Sequence, residues 1–123
     1  MTIDTLTDAS VDSRPCRVMV VDDSAVARGI VTRTLEQESG IKVVASAPNG
    51  VMALKAMMNH EIDVVVLDIE MPELDGMAAL PKLLAVDPDV KIIMASAASH
   101  RDADIAMKAM AIGAVDFVQK PTA

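Results

Sequence analysis

From Cys16 onward, short unbroken apolar runs alternate with longer stretches in which apolar residues recur every three or four positions. The runs are CRVMVV (16–21), IKVVASA (41–47), IDVVVL (62–67), VKIIMA (90–95) and AVDFV (114–118). Rich in Val and Ile and without polar alternation, they read as strands buried on both faces. The stretches between them carry helical spacing. Ala27, Val31 and Leu35 repeat every four residues behind Ser24, an N-cap residue. Val51, Leu54 and Met58 share a second face, and Met77, Leu80 and Leu84 a third. Pro81 sits inside the third stretch and predicts a late start or a kink. Ile105, Ala109 and Ile112 form the fourth face, closed by Gly113 as C-terminal cap.

The order is β-α-β-α-β-α-β-α-β, which predicts an α/β domain: a parallel sheet with helices on both faces and right-handed crossovers. Residues 1–15 read as a mobile N-terminal tail and 16–123 as the domain, with no internal repeat or low-complexity segment. The last residues, Lys-Pro-Thr-Ala, follow the fifth run directly. A doubly wound sheet normally lays one more helix against that edge, so truncation after the fifth strand is expected. The apolar surface left beside the first and fifth strands is then expected to promote a homodimer, or strand or helix exchange.

Composition narrows the class. A chain of 123 residues with 52% hydrophobic content suits one folded domain and excludes a disordered chain. With one Phe, no Trp and no Tyr, the core must be built from aliphatic residues and ten Met. Met107 and Met110, among alanines on the fourth helix, are expected to be core or half-buried. The formal charge is -7 and the basic residues form no stripe, so neither nucleic acid nor an anionic membrane is an expected partner. The acids can instead collect a cation. The single cysteine, Cys16, cannot make an internal disulfide; it fits a reducing compartment and reads as a small buried hydrophobe. No run approaches a membrane span, and the N-terminus, with three Asp and no apolar core, is no signal peptide. A cytoplasmic location is expected.

In open parallel sheets, ligands bind beyond the carboxyl ends of the strands. The first run ends in Asp22-Asp23-Ser24, the third in Asp68 with Glu70 beyond, the fourth in Ser96-Ala97 and the fifth in Lys120-Pro121. Alone, such an Asp forms a turn, such a Ser caps a helix and such a Lys lies on the surface. Their arrival together at one rim points to a site. Two like charges about 4 Å apart repel by roughly 4 kcal/mol at an effective dielectric near 20. Lys120 can neutralise only one of three acids, so removing Asp22 is expected to stabilise the metal-free protein. Oxygen donors and phosphate suit Mg²⁺, whereas zinc would want His or Cys. A carboxylate can also act as nucleophile and carry an acyl phosphate, with Lys120 and Ser96 each taking a phosphoryl oxygen. Asp68 is the candidate nucleophile because it ends a central strand. His60 and His100 read as surface residues.

VDDSA (21–25), LDIEMPELDG (67–76), MASA (94–97) and GAVDFVQKP (113–121) together resemble the receiver domain of two-component response regulators. The resemblance covers roughly residues 16–121. It implies a flavodoxin-like, doubly wound five-stranded sheet of order 2-1-3-4-5. It also implies that Asp68 is a phospho-acceptor served by a histidine kinase, with Mg²⁺ held by Asp22, Asp23, Asp68 and the Glu70 backbone carbonyl. Asp23 is then the more direct metal ligand of the acidic pair, Ser96 and Phe117 the switch residues, and Lys120 the conserved-type lysine before a cis Pro121. Within the family the motifs most resemble receivers of chemotaxis methylesterases. This chain has no room for the hydrolase of that subfamily, so the expected role is a non-enzymatic switch acting on an effector domain or protein. Two alternatives stand beside it: a stand-alone regulator, and a small phosphatase, since Asp68-Ile-Glu70 loosely echoes the Asp-x-Asp of haloacid-dehalogenase-type enzymes.

Overall fold

The computed structural model describes residues 14–71, 75–97 and 102–121. Among them the chain forms five strands and four helices in strict alternation. They are β1 (Cys16–Val21), α1 (Ala25–Glu36), β2 (Ile41–Ala47), α2 (Gly50–Asn59), β3 (Val64–Asp68), α3 (Gly76–Val86), β4 (Lys91–Ser96), α4 (Asp102–Ile112) and β5 (Asp116–Gln119). The sheet is parallel throughout, in the order β2-β1-β3-β4-β5. The fold class and the strand order are those expected from the sequence. Pro72, Glu73, Leu74, His100 and residues 1–13 of the N-terminal tail lie outside the described residues.

Successive side chains of a strand point to opposite faces, and the core divides accordingly. Val18 and Val20 of β1 join Val66 and Ala95 against Val31 of α1. Met19 and Val21 join Val65, Leu67, Ile92 and Met94 in the larger layer, under Ala53 and Met57 of α2, Leu80 and Leu83 of α3 and Ala109 of α4. Each large apolar side chain buried there contributes about 1.5–3 kcal/mol. At the far end of the sheet, the Arg17 amide and guanidinium both donate to Asp63, and Arg17 also pairs with Glu61. The guanidinium holds the Asp63 carboxyl below its ordinary value. On the outer side of β2, the Val43 N–H donates to Glu36 at 2.8 Å.

The caps form as expected: Ser24 accepts from the Ala27 N–H at the start of α1, and Gly113, at φ +141°, closes α4. That φ lies where side chains are disfavoured, and Gly113 meets it without strain.

Several expected faces are corrected. In α2 the buried positions are Gly50, Ala53 and Met57, while Val51 and Met58 are exposed. Apolar residues occupy nearly every position of that helix, so hydrophobicity could not select a face. The small Ala53 lies against the sheet instead. In α4, Ala109 is buried and Ile105 half-buried, but Ile112 is exposed. Met107 and Met110 are exposed as well, Met107 by 74%. Flexible Met side chains on an alanine-rich helix need no burial, because Ala109 and the half-buried Ile105 make the contact with the core. The late start of α3 is not found: Asp75 caps it at the Ala78 N–H, and Pro81 lies inside the helix. Cys16 is half-buried rather than buried, beside the smaller cluster.

The surface expected to lack a helix is present. Val66, Ile93, Ala95 and Val118 of the sheet and Val31 and Leu35 of α1 line a groove of about 180 Å³, open among the described residues.

Candidate functional site

Four strand ends converge because parallel pairing fixes their register. Val21 of β1 lies opposite Leu67 of β3, Asp68 opposite Ala95 of β4, and Ser96 opposite Gln119 of β5. Backbone bonds carry the pairing one residue further: Asp22 N–H to Ala47 at 3.0 Å, Ile69 N–H to Ala95 at 3.1 Å and Lys120 N–H to Ser96 at 2.7 Å. The next residue of each chain end therefore faces a shared cleft of about 730 Å³.

Asp22, Asp23 and Asp68 each bring a carboxylate oxygen within 4.8 Å of the others. Asp22 and Asp68 are buried, 2% and 4% exposed, and Asp23 is open to solvent. Lys120 Nζ stands 2.9 Å from Asp22 Oδ2 and 3.5 Å from Asp68 Oδ1. Asp68 Oδ1 also accepts from the Glu70 N–H at 3.3 Å. Asp22 is more firmly held, because its Oδ1 accepts the Ser24 N–H at 2.9 Å and its carbonyl accepts from Arg28 at 2.7 Å.

Burial, then the charge of Asp22, push the Asp68 carboxyl up to about 6, against the opposing pull of Lys120 and the Glu70 N–H. Burial lowers the Lys120 ammonium, but its hydrogen bond to Asp22 and the charges of Asp68 and Asp22 outweigh that and raise it. The site thus holds one cation against two buried acids. The donor set for a metal is all oxygen, which fits Mg²⁺.

The structure brings Asp22, Asp23, Asp68 and Lys120 together. Glu70 lies at the cleft wall with an exposed side chain, outside the carboxylate cluster. Ser96 is buried at the end of β4, and is not among the described residues lining the cleft. Phe117 is half-buried against the larger core layer.

One expectation is corrected. The peptide before Pro121 is trans, since the described residues contain no cis bond. A proline amide separates the two isomers by only about 0.5–1 kcal/mol, so residue type could not fix the choice. Removing Asp22 would relieve the repulsion on Asp68 but would also take away the partner of the Ser24 amide and the nearer partner of Lys120, which keeps Asp68 at 3.5 Å.

Sequence reasoning passed over three contributors. Asp75 caps α3 and lines the cleft, a role legible in the Asp before a helical stretch. Arg28 reaches the Asp22 carbonyl. Gly76 does more than shape a turn: a Cβ there would stand 2.1 Å from the Asp68 carbonyl oxygen and 2.9 Å from Ile69 Cα. Both are backbone atoms that cannot swing aside, so only glycine lets α3 start against the Asp68 peptide.

Two predictions follow from this geometry. Between about pH 4, the ordinary carboxyl range, and pH 6, folded Asp68 keeps a proton that the unfolded chain has released. Metal-free stability should therefore fall as pH rises through that window, by at most about 3 kcal/mol. Asp68→Asn should melt several degrees above wild type at pH 7.5 without metal and at the wild-type temperature at pH 4; a gap independent of pH would contradict the burial argument. For Gly76→Ala, urea unfolding should show a loss of about 1–3 kcal/mol. An alanine variant as stable as wild type would show that the contact is relieved without cost.

Comparison with known proteins agrees with the geometry. The profile described as response regulator receiver domain matches residues 18–123. A protein-glutamate methylesterase/protein-glutamine glutaminase of Paramagnetospirillum magneticum is 59% identical over 86% of this chain and 28% of its own length. Its counterpart of the group 2 operon of Rhodospirillum centenum is 55% identical over 96% of this chain and 30% of its own length. The chain thus spans less than a third of the curated relatives it matches. Among solved structures, the response regulator domain of Thermotoga maritima CheB superposes with a TM-score of 0.80 at 38% identity, covering 88% of this chain and 80% of that one. The CheX-CheY-BeF3-Mg complex of Borrelia burgdorferi gives 0.80 at 30% identity, covering 89% and 81%. A cluster of carboxylates at the carboxyl edge of a 2-1-3-4-5 sheet and a family match across nearly the whole folded region lead to one assignment: the chain belongs to the response regulator receiver domain family.

Proposed function

We propose that this chain is a phospho-accepting switch of chemotaxis-type signalling, in which Asp68 takes a phosphoryl group from a histidine kinase. The observation that carries the reading is the buried Asp68 carboxylate, crowded by Asp22 and answered only by Lys120.

Asp22, Asp23 and Asp68, with the Glu70 carbonyl, are the residues that would hold Mg²⁺. When bound, the ion screens the acids from an incoming phosphoryl group and bears part of its charge. Asp68 Oδ1 is engaged by Lys120 and the Glu70 N–H. Oδ2 is therefore the nucleophile: it attacks phosphorus, the bond from phosphorus to the donor nitrogen breaks, and the electron pair leaves with the imidazole. Lys120 then faces a phosphoryl oxygen. The added charge draws the Ser96 hydroxyl toward it, and Phe117 shifts in its half-buried seat. The segment between β4 and β5 is thereby biased between two packings.

The effector is a methylesterase-type domain or a separate protein, in keeping with the names of the relatives. No esterase chemistry is assigned to this segment. The uncovered groove beside α1 supports a homodimer through that face. No described helix is long and apolar enough to cross a membrane. The phosphatase alternative loses its support, because the Glu70 side chain is exposed and Asp68 ends the third strand rather than the first.

Incubation with phosphoramidate or acetyl phosphate and Mg²⁺, followed by intact mass measurement, tests the proposal. Wild type should gain one phosphoryl group and Asp68→Ala none. No gain by wild type, or equal gain by the variant, would overturn it.

A further inference from the structure

We infer that Arg28 is a positioning residue for the metal cluster: its guanidinium holds the Asp22 carbonyl and so fixes the turn that presents Asp23. The inference rests on the Mg²⁺-dependent reading above and assigns within it a residue that sequence patterning did not single out.

Arg28 is the fourth residue of α1, and its own N–H makes the first helical bond, to the Ser24 carbonyl at 2.9 Å. A cation is poorly placed there. The N-terminal end of a helix is the positive end of its dipole, and the first turn of α1 carries no acid to offset it. Long helical side chains lean back toward the N-terminus. Arg28 follows that lean, past the cap, and its Nη1 donates to the Asp22 carbonyl at 2.7 Å in a half-buried setting. A side chain with every reason to extend into water instead grips one main-chain oxygen.

That oxygen belongs to the peptide joining Asp22 to Asp23. Asp22 is otherwise held by its carboxylate, through Lys120 Nζ at 2.9 Å and the Ser24 N–H at 2.9 Å, and by its own N–H to Ala47. These bonds fix where the Asp22 carboxylate sits. The Ser24 bond loops across the peptide plane between Asp22 and Asp23 and restrains it from one side, but none of these bonds holds its carbonyl, whose direction helps decide where Asp23 points. The Arg28 bond fixes that plane. Asp23 is solvent-exposed, yet its carboxylate oxygen lies within 4.8 Å of those of Asp22 and Asp68. An exposed acid beside two others of like charge should swing away into water, and the clamped turn opposes that swing.

The bland alternative is that Arg28 only stabilises the start of α1. The two differ in what a variant changes. Groups that orient metal ligands without touching the metal typically govern affinity by about 10- to 100-fold. A structural clasp would change melting temperature and leave the affinity of the folded protein alone.

The test is isothermal titration calorimetry of Mg²⁺ against wild type, Arg28→Ala and Arg28→Lys, paired with amide exchange of Ser24 in metal-free protein. The expected result is an Mg²⁺ Kd about tenfold weaker in Arg28→Ala. Partial recovery in Arg28→Lys, whose ammonium can still donate to the carbonyl, and faster Ser24 exchange in Arg28→Ala alone should accompany it. If wild type binds Mg²⁺ and Arg28→Ala binds it equally well, the positioning role is wrong while the Mg²⁺ reading stands. If wild type itself binds no Mg²⁺, both fall. Should Arg28→Ala fold poorly, Arg28→Gln keeps a donor without the charge, and wild-type affinity with the glutamine would assign the role to the hydrogen bond. A Kd for Arg28→Gln and Arg28→Lys both as weak as for alanine, at full fold, would overturn the clamp.

Discussion

A carboxylate sits at the end of the central strand with 4% of its surface exposed, next to a second buried carboxylate and within 3.5 Å of one ammonium. The arrangement is electrostatically incomplete, and the rest of the site is organised around that. Burying an ionised acid is costly unless it is paired and hydrogen-bonded. Lys120 divides its charge between Asp22 at 2.9 Å and Asp68 at 3.5 Å and favours Asp22. Asp68 is left as the group whose charge is least well answered. It has the most to gain from a further positive charge at the site.

Holding the incomplete arrangement in place demands stiffness elsewhere. The sheet supplies it, because β1, β3, β4 and β5 are locked in parallel register by apolar layers on both faces. A slip of one residue in any of these strands would turn its terminal acid or base toward the wrong face. The loops are pinned at their roots: Asp22 by the Ala47 carbonyl and Arg28, Asp68 by α3, which begins so close to the Asp68 peptide that Gly76 has no room for a side chain. Ser96 and Phe117 sit behind this frame, buried and half-buried.

The strands were legible because continuous Val and Ile runs have few other uses, and the ends of those runs named Asp22, Asp23, Asp68, Ser96 and Lys120. The alternation of elements then gave the topology, since parallel sheets admit few connections. Helix faces were legible only where polar residues interrupted them. In α1 the stripe of Val31 and Leu35 held, but α2 and α4 are apolar nearly all round, so the exposure of Met58, Met107 and Ile112 was set by tertiary packing. Pairings between side chains and main chain were beyond reach for a related reason. The partner of Arg28 is a carbonyl, which every residue owns, and the constraint on Gly76 is a distance to a peptide that sequence does not encode. The isomer before Pro121 was likewise open, because either costs little.

The central claim is that the Asp68 carboxyl is strained by burial and by Asp22 until a cation joins it. The most direct measurement is a carbon-13 NMR titration of that carboxyl with and without Mg²⁺. The account predicts titration near pH 6 in metal-free protein. It also predicts a move to distinctly lower pH at saturating Mg²⁺. Titration in the ordinary carboxyl range without metal, unchanged by its addition, would contradict the account.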